Sequence, residues 1–177
     1  MKGLRGFVVA LVLVILGLLL FVYSGSYDVA ASSSPGKAEE WLLESIRESG
    51  ISSRAKGIKA PALGSPEQVQ QGFELYRAHC VTCHGAPGAP PEELAMGLHP
   101  VPPGLSFPKV QKRPDAELFW IAKHGLKFTG MPGFGMMRSD EELWAVVAFV
   151  RKLPNLSPDD YQRMAEAGES ESSTGEI

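Results

Sequence analysis

The chain carries two cysteines in 177 residues, with no third to complete a thiolate cage, and it has no internal repeat. A structural zinc site takes about four ligands, so the cysteine-rich zinc modules are excluded. No alternating strand–helix pattern is visible either, which removes the scaffold a thioredoxin-like Cys-x-x-Cys pair needs. An excess of one charge is also missing. Lysine and arginine total 17 against 20 acidic residues, a net charge of −3, and this balance gives no nucleic-acid signal. Charge is absent altogether between Phe7 and Tyr23.

What is present is concentrated in one pentapeptide, Cys80-Val81-Thr82-Cys83-His84. Two cysteines three apart with histidine next are the attachment pattern of c-type haem. On a helical turn the two sulfurs lie on neighbouring faces and can reach two vinyl groups of one porphyrin. His84 then falls beneath the ring, where its imidazole can bind the iron as proximal ligand. One motif predicts one covalent haem c. That haem consumes both cysteines, so no disulfide reports on the compartment.

The N-terminus reports on it instead. Lys2 and Arg5 precede an uncharged run, Phe7 to Tyr23, of 17 residues. As a helix the run is about 26 Å long, near the lower limit for crossing a bilayer. It exceeds the apolar core of a typical cleaved signal peptide. The positive flank keeps the N-terminus in the cytoplasm and sends the rest outward. The competing reading is a signal cleaved near Val29-Ala30-Ala31. Either route exports the remaining chain, and covalent haem attachment normally takes place there. The expected location is the inner membrane, single-pass, with the haem domain on the periplasmic side.

Four segments follow from the pattern. Residues 1–23 are the anchor or signal. Residues 24–64 hold a polar tether, a short amphipathic helix over 37–49 stopped by Gly50, and a connector. The face of that helix bearing Trp41, Leu42, Ser45 and Ile46 is expected to pack on the domain. Residues 65–155 form the core domain. Its first helix starts at Ser65-Pro66-Glu67-Gln68, its second spans 115–124, and its third begins at the capping box Ser139-Asp140-Glu141-Glu142. A proline- and glycine-rich loop from Gly85 to Pro114 links the first two, with a haem as the core it wraps. Residues 156–177 form a short helix around 158–167 and an acidic tail predicted to be disordered.

The sixth iron ligand decides between chemistries, because an open site binds gases or peroxide and a filled one leaves electron exchange. Met131, in Thr129-Gly130-Met131-Pro132-Gly133-Phe134, is the leading candidate. Glycine permits close approach and proline fixes the turn. Met136 and Met137 compete with it, Met96 and Met164 less so, and His124 remains open as an alternative. His79 and His99 read as surface or loop residues.

A helix ending in Cys-x-x-Cys-His, a proline-rich loop, then a Gly-Met-Pro loop before a last helix resembles class I cytochrome c over roughly residues 65–153. The resemblance implies an all-α, cytochrome c-like fold of three main helices around one covalent haem, after an N-terminal membrane or signal helix. It makes Cys80 and Cys83 the thioether positions, His84 the proximal ligand and Met131 the distal ligand. It implies that Gly72 and Tyr76 cross the last helix at Val146 and Phe149. Pro103 would supply the carbonyl that orients His84, with Pro102 and Pro100 as near alternatives.

The functional expectation is a membrane-anchored electron carrier of the respiratory chain, not an enzyme, exchanging electrons with membrane-bound or periplasmic redox proteins. Phe73, Phe134 and Trp144 are expected to keep water from the haem. Residues 100–140 hold 6 basic and 3 acidic side chains. From these Lys109, Lys112, Lys123, Lys127 and Arg138 are expected to ring the haem edge and steer an acidic partner. Two other readings stay in view. One is a haem enzyme or gas sensor with an open distal site, although no distal histidine–arginine pair suggests peroxide chemistry. The other is a dedicated subunit of an oxidase or dehydrogenase complex.

Overall fold

The computed structural model describes residues 2–174, with side chains described through residue 167. The chain divides into two compact units, one ending at Ser34 and one beginning at Pro35.

The first unit is built on α1 (Lys2–Tyr23), 22 residues with no buried side chain, in which an 18-residue stretch has a mean hydropathy of 3.0. The helix takes in Lys2 and Arg5 ahead of the uncharged run, so its length is about 33 Å. By length and composition it is apolar enough to cross a membrane.

The second unit is helical, and no β-strand occurs among the described residues. Its elements are α2 (Lys37–Ala55), α3 (Pro66–His79), α4 (Val81–His84), α5 (Glu93–Met96), α6 (Pro108–Gln111), α7 (Asp115–His124) and α8 (Asp140–Lys152). A 3-10 turn, Leu153–Asn155, then leads to α9 (Pro158–Thr174). This is the all-α architecture that the resemblance implies.

The helix starts follow from their caps. Ser65 Oγ accepts from the Gln68 N–H, Pro66 occupies the first turn, and the Gln68 side chain accepts from the Gly64 N–H at 2.8 Å. At α8, Ser139 and Glu142 cap each other reciprocally. Orphan N–H groups of the first turn are satisfied in both cases.

The centre of the unit is the crossing of α3 and α8. Gly72 makes it possible: a Cβ there would sit 1.9 Å from the Ala145 carbonyl oxygen and 2.9 Å from Phe149 Cβ. Around the crossing Phe73 and Tyr76 pack on Phe149, with ring centroids 5.4 and 5.1 Å apart, and Tyr161 of α9 closes on Phe73 at 5.2 Å. Burying an aromatic of this size contributes about 2–3 kcal/mol. The partners of Gly72 are therefore Ala145 and Phe149. Val146, which the resemblance implied, packs against the same cluster as Tyr76 and Phe149. A second cluster forms where Phe119 of α7 stacks on Trp144 of α8 at 4.2 Å, with Leu143 and Val147 beside them.

Two expectations are corrected here. The α2 helix runs through Gly50 to Ala55, because Ile51 and Ala55 are buried and fix the helix beyond the glycine. It packs on the domain through Glu44, Glu48, Ile51 and Ala55, spaced by three or four residues on one face. Trp41, Leu42 and Ile46 are exposed. At the other end α9 extends to Thr174, seven residues past the predicted helix. The last part of the expected tail, residues 175–177, lies outside the described residues.

The long loop is anchored rather than loose. Arg151 of α8 donates to Asp115 Oδ1 at 2.6 Å and to the carbonyls of Gln111 and Arg113. The Gln111 amide in turn donates to the Leu105 and Val150 carbonyls at 2.7 and 3.0 Å.

Candidate functional site

A cavity of about 450 Å³ opens between α3–α4 on one side and the loop after α7 on the other, with residues of α8 at its back. This falls within the usual range for a bound small molecule or cofactor. Cys80, Cys83 and His84 line it, as do Leu98, Val101, Ile121, Val146 and Val150, and so does Met131.

His84 is held by one hydrogen bond. Its Nδ1 lies 2.8 Å from the Pro103 carbonyl oxygen. A carbonyl only accepts, so Nδ1 carries the proton and Nε2 keeps its lone pair. Burial pushes the His84 imidazole below the ordinary histidine range, outweighing the opposing effect of the bond to Pro103. The ring is thus a neutral donor with its orientation fixed, the form that binds a metal. Of the three prolines weighed from the sequence, Pro103 makes this contact. Just behind, the Tyr76 hydroxyl donates to the Gly85 carbonyl at 2.6 Å, which ties the haem-motif turn to α3.

Burial, and secondarily the charge of Cys83, pushes the Cys80 thiol up to about 12. Reactive redox cysteines have lowered values. Cys80 is not poised as a reactive thiolate.

The Met131 loop folds back on the end of α7. Gly125 sits at φ +66°, and a Cβ there would come within 2.7 Å of the Met131 carbonyl and 2.6 Å of the Gly133 nitrogen. Leu126 N–H donates to the Met131 carbonyl, Phe134 N–H to the Ala122 carbonyl and Gly135 N–H to the Lys123 carbonyl, at 3.1, 3.0 and 2.9 Å. The loop thereby satisfies carbonyls that the helix end leaves open. Thr129 Oγ accepts from the Met131 N–H at 3.0 Å and donates to the Leu126 carbonyl.

The competitors lie elsewhere. Met136, Met137 and Met96 are exposed, and Met164 packs on the aromatic cluster of α3, α8 and α9. His124 is exposed and rests on Trp120, with ring centroids 5.1 Å apart. His99 is exposed as well. Among the described residues, Met131 is the methionine that lines the cavity.

Some expected neighbours are not at the site. Phe134 lines the cavity, whereas Phe73 and Trp144 are buried in the two clusters described above. Of the five cations expected to ring the haem edge, Lys109 and Arg138 line the cavity, and three of the five are paired. Lys109 pairs with Glu44 at 2.9 Å, Lys123 with Asp140 at 2.6 Å and Arg138 with Glu142 at 3.2 Å. Sequence reasoning missed other lining residues: Arg47, Glu48 and Ile51 of α2, and His79, whose Nε2 lies 2.8 Å from Arg138. Helical spacing of Glu44, Glu48 and Ile51 was the available signal, but Trp41 and Leu42 outweighed it.

Two thiols, a neutral imidazole and apolar walls in one cavity suit a covalently attached haem c, and a thioether lies on the same walls. Residues 67–150 match the family model described as Cytochrome C oxidase, cbb3-type, subunit III. No curated protein matches the chain. Residues 67–150 are a cytochrome c domain, and the chain is accordingly an electron-transfer protein that carries covalent haem c.

Proposed function

We propose that this chain is a membrane-anchored, single-haem electron carrier with His84 and Met131 as the two axial ligands and Cys80 and Cys83 as the thioether positions. The observation that carries the reading is the pairing of a neutral, oriented His84 with Met131 on the walls of one apolar cavity. Bound there, haem supplies one-electron exchange at iron. The protein's part is to hold still around it. Pro103 fixes the His84 ring, and Gly125, Thr129 and the α7 carbonyls fix the Met131 loop. Leu98, Val146 and Phe134 exclude water. A soft thioether and a dry site both favour the reduced state. No substrate bond is made or broken, so the chain acts as a carrier and not as an enzyme.

The α1 helix serves as the anchor, residues 1–23, with the haem domain on the periplasmic side of the inner membrane, as the basic N-terminal flank supports. The tether shortens to residues 24–36, since α2 belongs with the domain that runs to about residue 155. Tethering raises the domain's concentration near membrane-bound redox proteins. Exposed Phe128, Met136 and Met137 beside the Met131 loop give a partner an apolar surface to dock on.

The family description, a subunit of a cbb3-type oxidase, supports a more specific version in which donor and acceptor belong to one respiratory complex. Retrieval of oxidase subunits with the full-length chain from detergent-solubilised membranes tests it. Recovery of the chain alone rejects it. The ligand assignment is tested by the absorption spectrum of the holoprotein and of Met131→Ala. The parent should show the weak long-wavelength iron–thioether band and resist carbon monoxide.

A further inference from the structure

The α2 helix lies outside residues 67–150, yet Arg47, Glu48 and Ile51 line the same cavity as His84 and Met131. Two ion pairs pin the helix there, Glu44 to Lys109 at 2.9 Å and Glu48 to Arg113 at 2.5 Å. Arg113 also holds Glu117 at 3.0 Å. Both of these loop cations are therefore matched by carboxylates.

Arg47 is not. It is half-buried and lines the cavity, and among the described residues it makes no hydrogen bond or ion pair. The carboxylate that feels its field, Glu44, is already engaged by Lys109. A guanidinium offers five donors in a fixed fork suited to a carboxylate. Leaving one partly buried at an apolar cavity without an acceptor is costly.

Haem c carries two carboxylates of its own, on pyrroles other than those bearing the thioethers. The charged groups lining the cavity fall into two sets. His79 and Arg138 are joined to each other, adjoin Cys80 through the chain, and are compensated by Glu142. Arg47, Glu48, Lys109 and Arg113 come from α2 and the neighbourhood of α6. Within them Arg47 is the cation left over.

We propose that α2 is a wall of the haem site and that Arg47 is a positioning residue that receives a haem carboxylate, with the Glu44–Lys109 and Glu48–Arg113 pairs holding it in place. The inference rests on haem seated in this cavity between His84 and Met131. It assigns a role to a segment that lies outside the matched residues 67–150.

A cation beside the haem disfavours the oxidised iron, which bears one more positive charge. The test is potentiometric titration of the full-length holoprotein in detergent at neutral pH, for the parent, Arg47→Gln, Arg47→Lys and Arg54→Gln. Arg54 is an exposed cation on the same helix that does not line the cavity. Arg47→Gln is expected to shift the redox equilibrium roughly three- to tenfold toward the oxidised form, where tenfold is about 59 mV for one electron. Arg47→Lys should stay close to the parent, and Arg54→Gln should not move. An unmoved Arg47→Gln, or an Arg54→Gln shift of equal size, overturns the assignment. The iron–thioether band of the parent, read in the same samples, separates the two levels. If it is absent, the seating of the haem fails. If it is present while Arg47→Gln leaves the potential alone, only the role of Arg47 fails.

Discussion

His84 Nδ1 and the Pro103 carbonyl oxygen lie 2.8 Å apart, joining a helical turn to a loop 19 residues further along the chain. The bond sets both the tautomer and the plane of the imidazole. Donation to a carbonyl also makes Nε2 a stronger base, which favours the oxidised iron. Pro103→Ala keeps the carbonyl but frees the backbone that aims it. The reduction potential should rise slightly in this variant while the axial ligands stay in place. An unchanged potential would show that the loop is held by its other contacts.

Gly72 tests the packing that positions the motif. A Cβ 1.9 Å from the Ala145 carbonyl must displace backbone, and backbone cannot yield as a flexible side chain does. Gly72→Ala should destabilise the holoprotein by about 3 kcal/mol in denaturant unfolding, at the upper end of the usual overpacking cost. Stability equal to the parent would contradict the tight crossing of α3 and α8.

Arg151 holds the loop that carries Pro103 by spanning Asp115, Gln111 and Arg113. Hydrogen bonds from a charged group contribute about 1.5–3 kcal/mol each before compensation. Arg151→Met should cost about 2 kcal/mol and speed proteolysis within residues 100–114. Unaltered cleavage there would place the anchoring elsewhere.

The α8 capping box carries a pH dependence. The Ser139 N–H, and secondarily Arg138, hold the Glu142 carboxyl below the ordinary carboxylate range. A lowered carboxylate contributes stability above its unfolded value and loses that contribution as pH falls through its folded one. The unfolding midpoint of the parent should therefore decline in acid, and Glu142→Gln should flatten that decline. Ser139→Ala should cost about 1 kcal/mol at neutral pH.

What the sequence made legible was local chemistry. Ser65-Pro66 and Ser139-Asp140-Glu141-Glu142 announce their helices because a cap acts within one turn. Cys80, Cys83 and His84 announce a haem because their spacing is the site. Gly50 misled because tertiary burial of Ile51 and Ala55 outweighs the roughly 1 kcal/mol a helical glycine costs. Trp41 and Leu42 misled in the same way: the docked face of α2 is chosen by Glu44, Glu48 and their partners Lys109 and Arg113. Lys123 and Lys109 are paired because Asp140 and Glu44 approach them from distant parts of the chain. Pairing across 17 and 65 residues leaves no mark in local composition.

The measurement that bears most directly on the central reading is optical absorption of the full-length holoprotein, oxidised and reduced, beside Met131→Ala. The account expects a weak long-wavelength iron–thioether band and no carbon monoxide binding in the parent, with the band lost and carbon monoxide bound in the variant. A parent that lacks the band and already binds carbon monoxide would contradict His84/Met131 ligation and make catalysis or gas sensing the leading function.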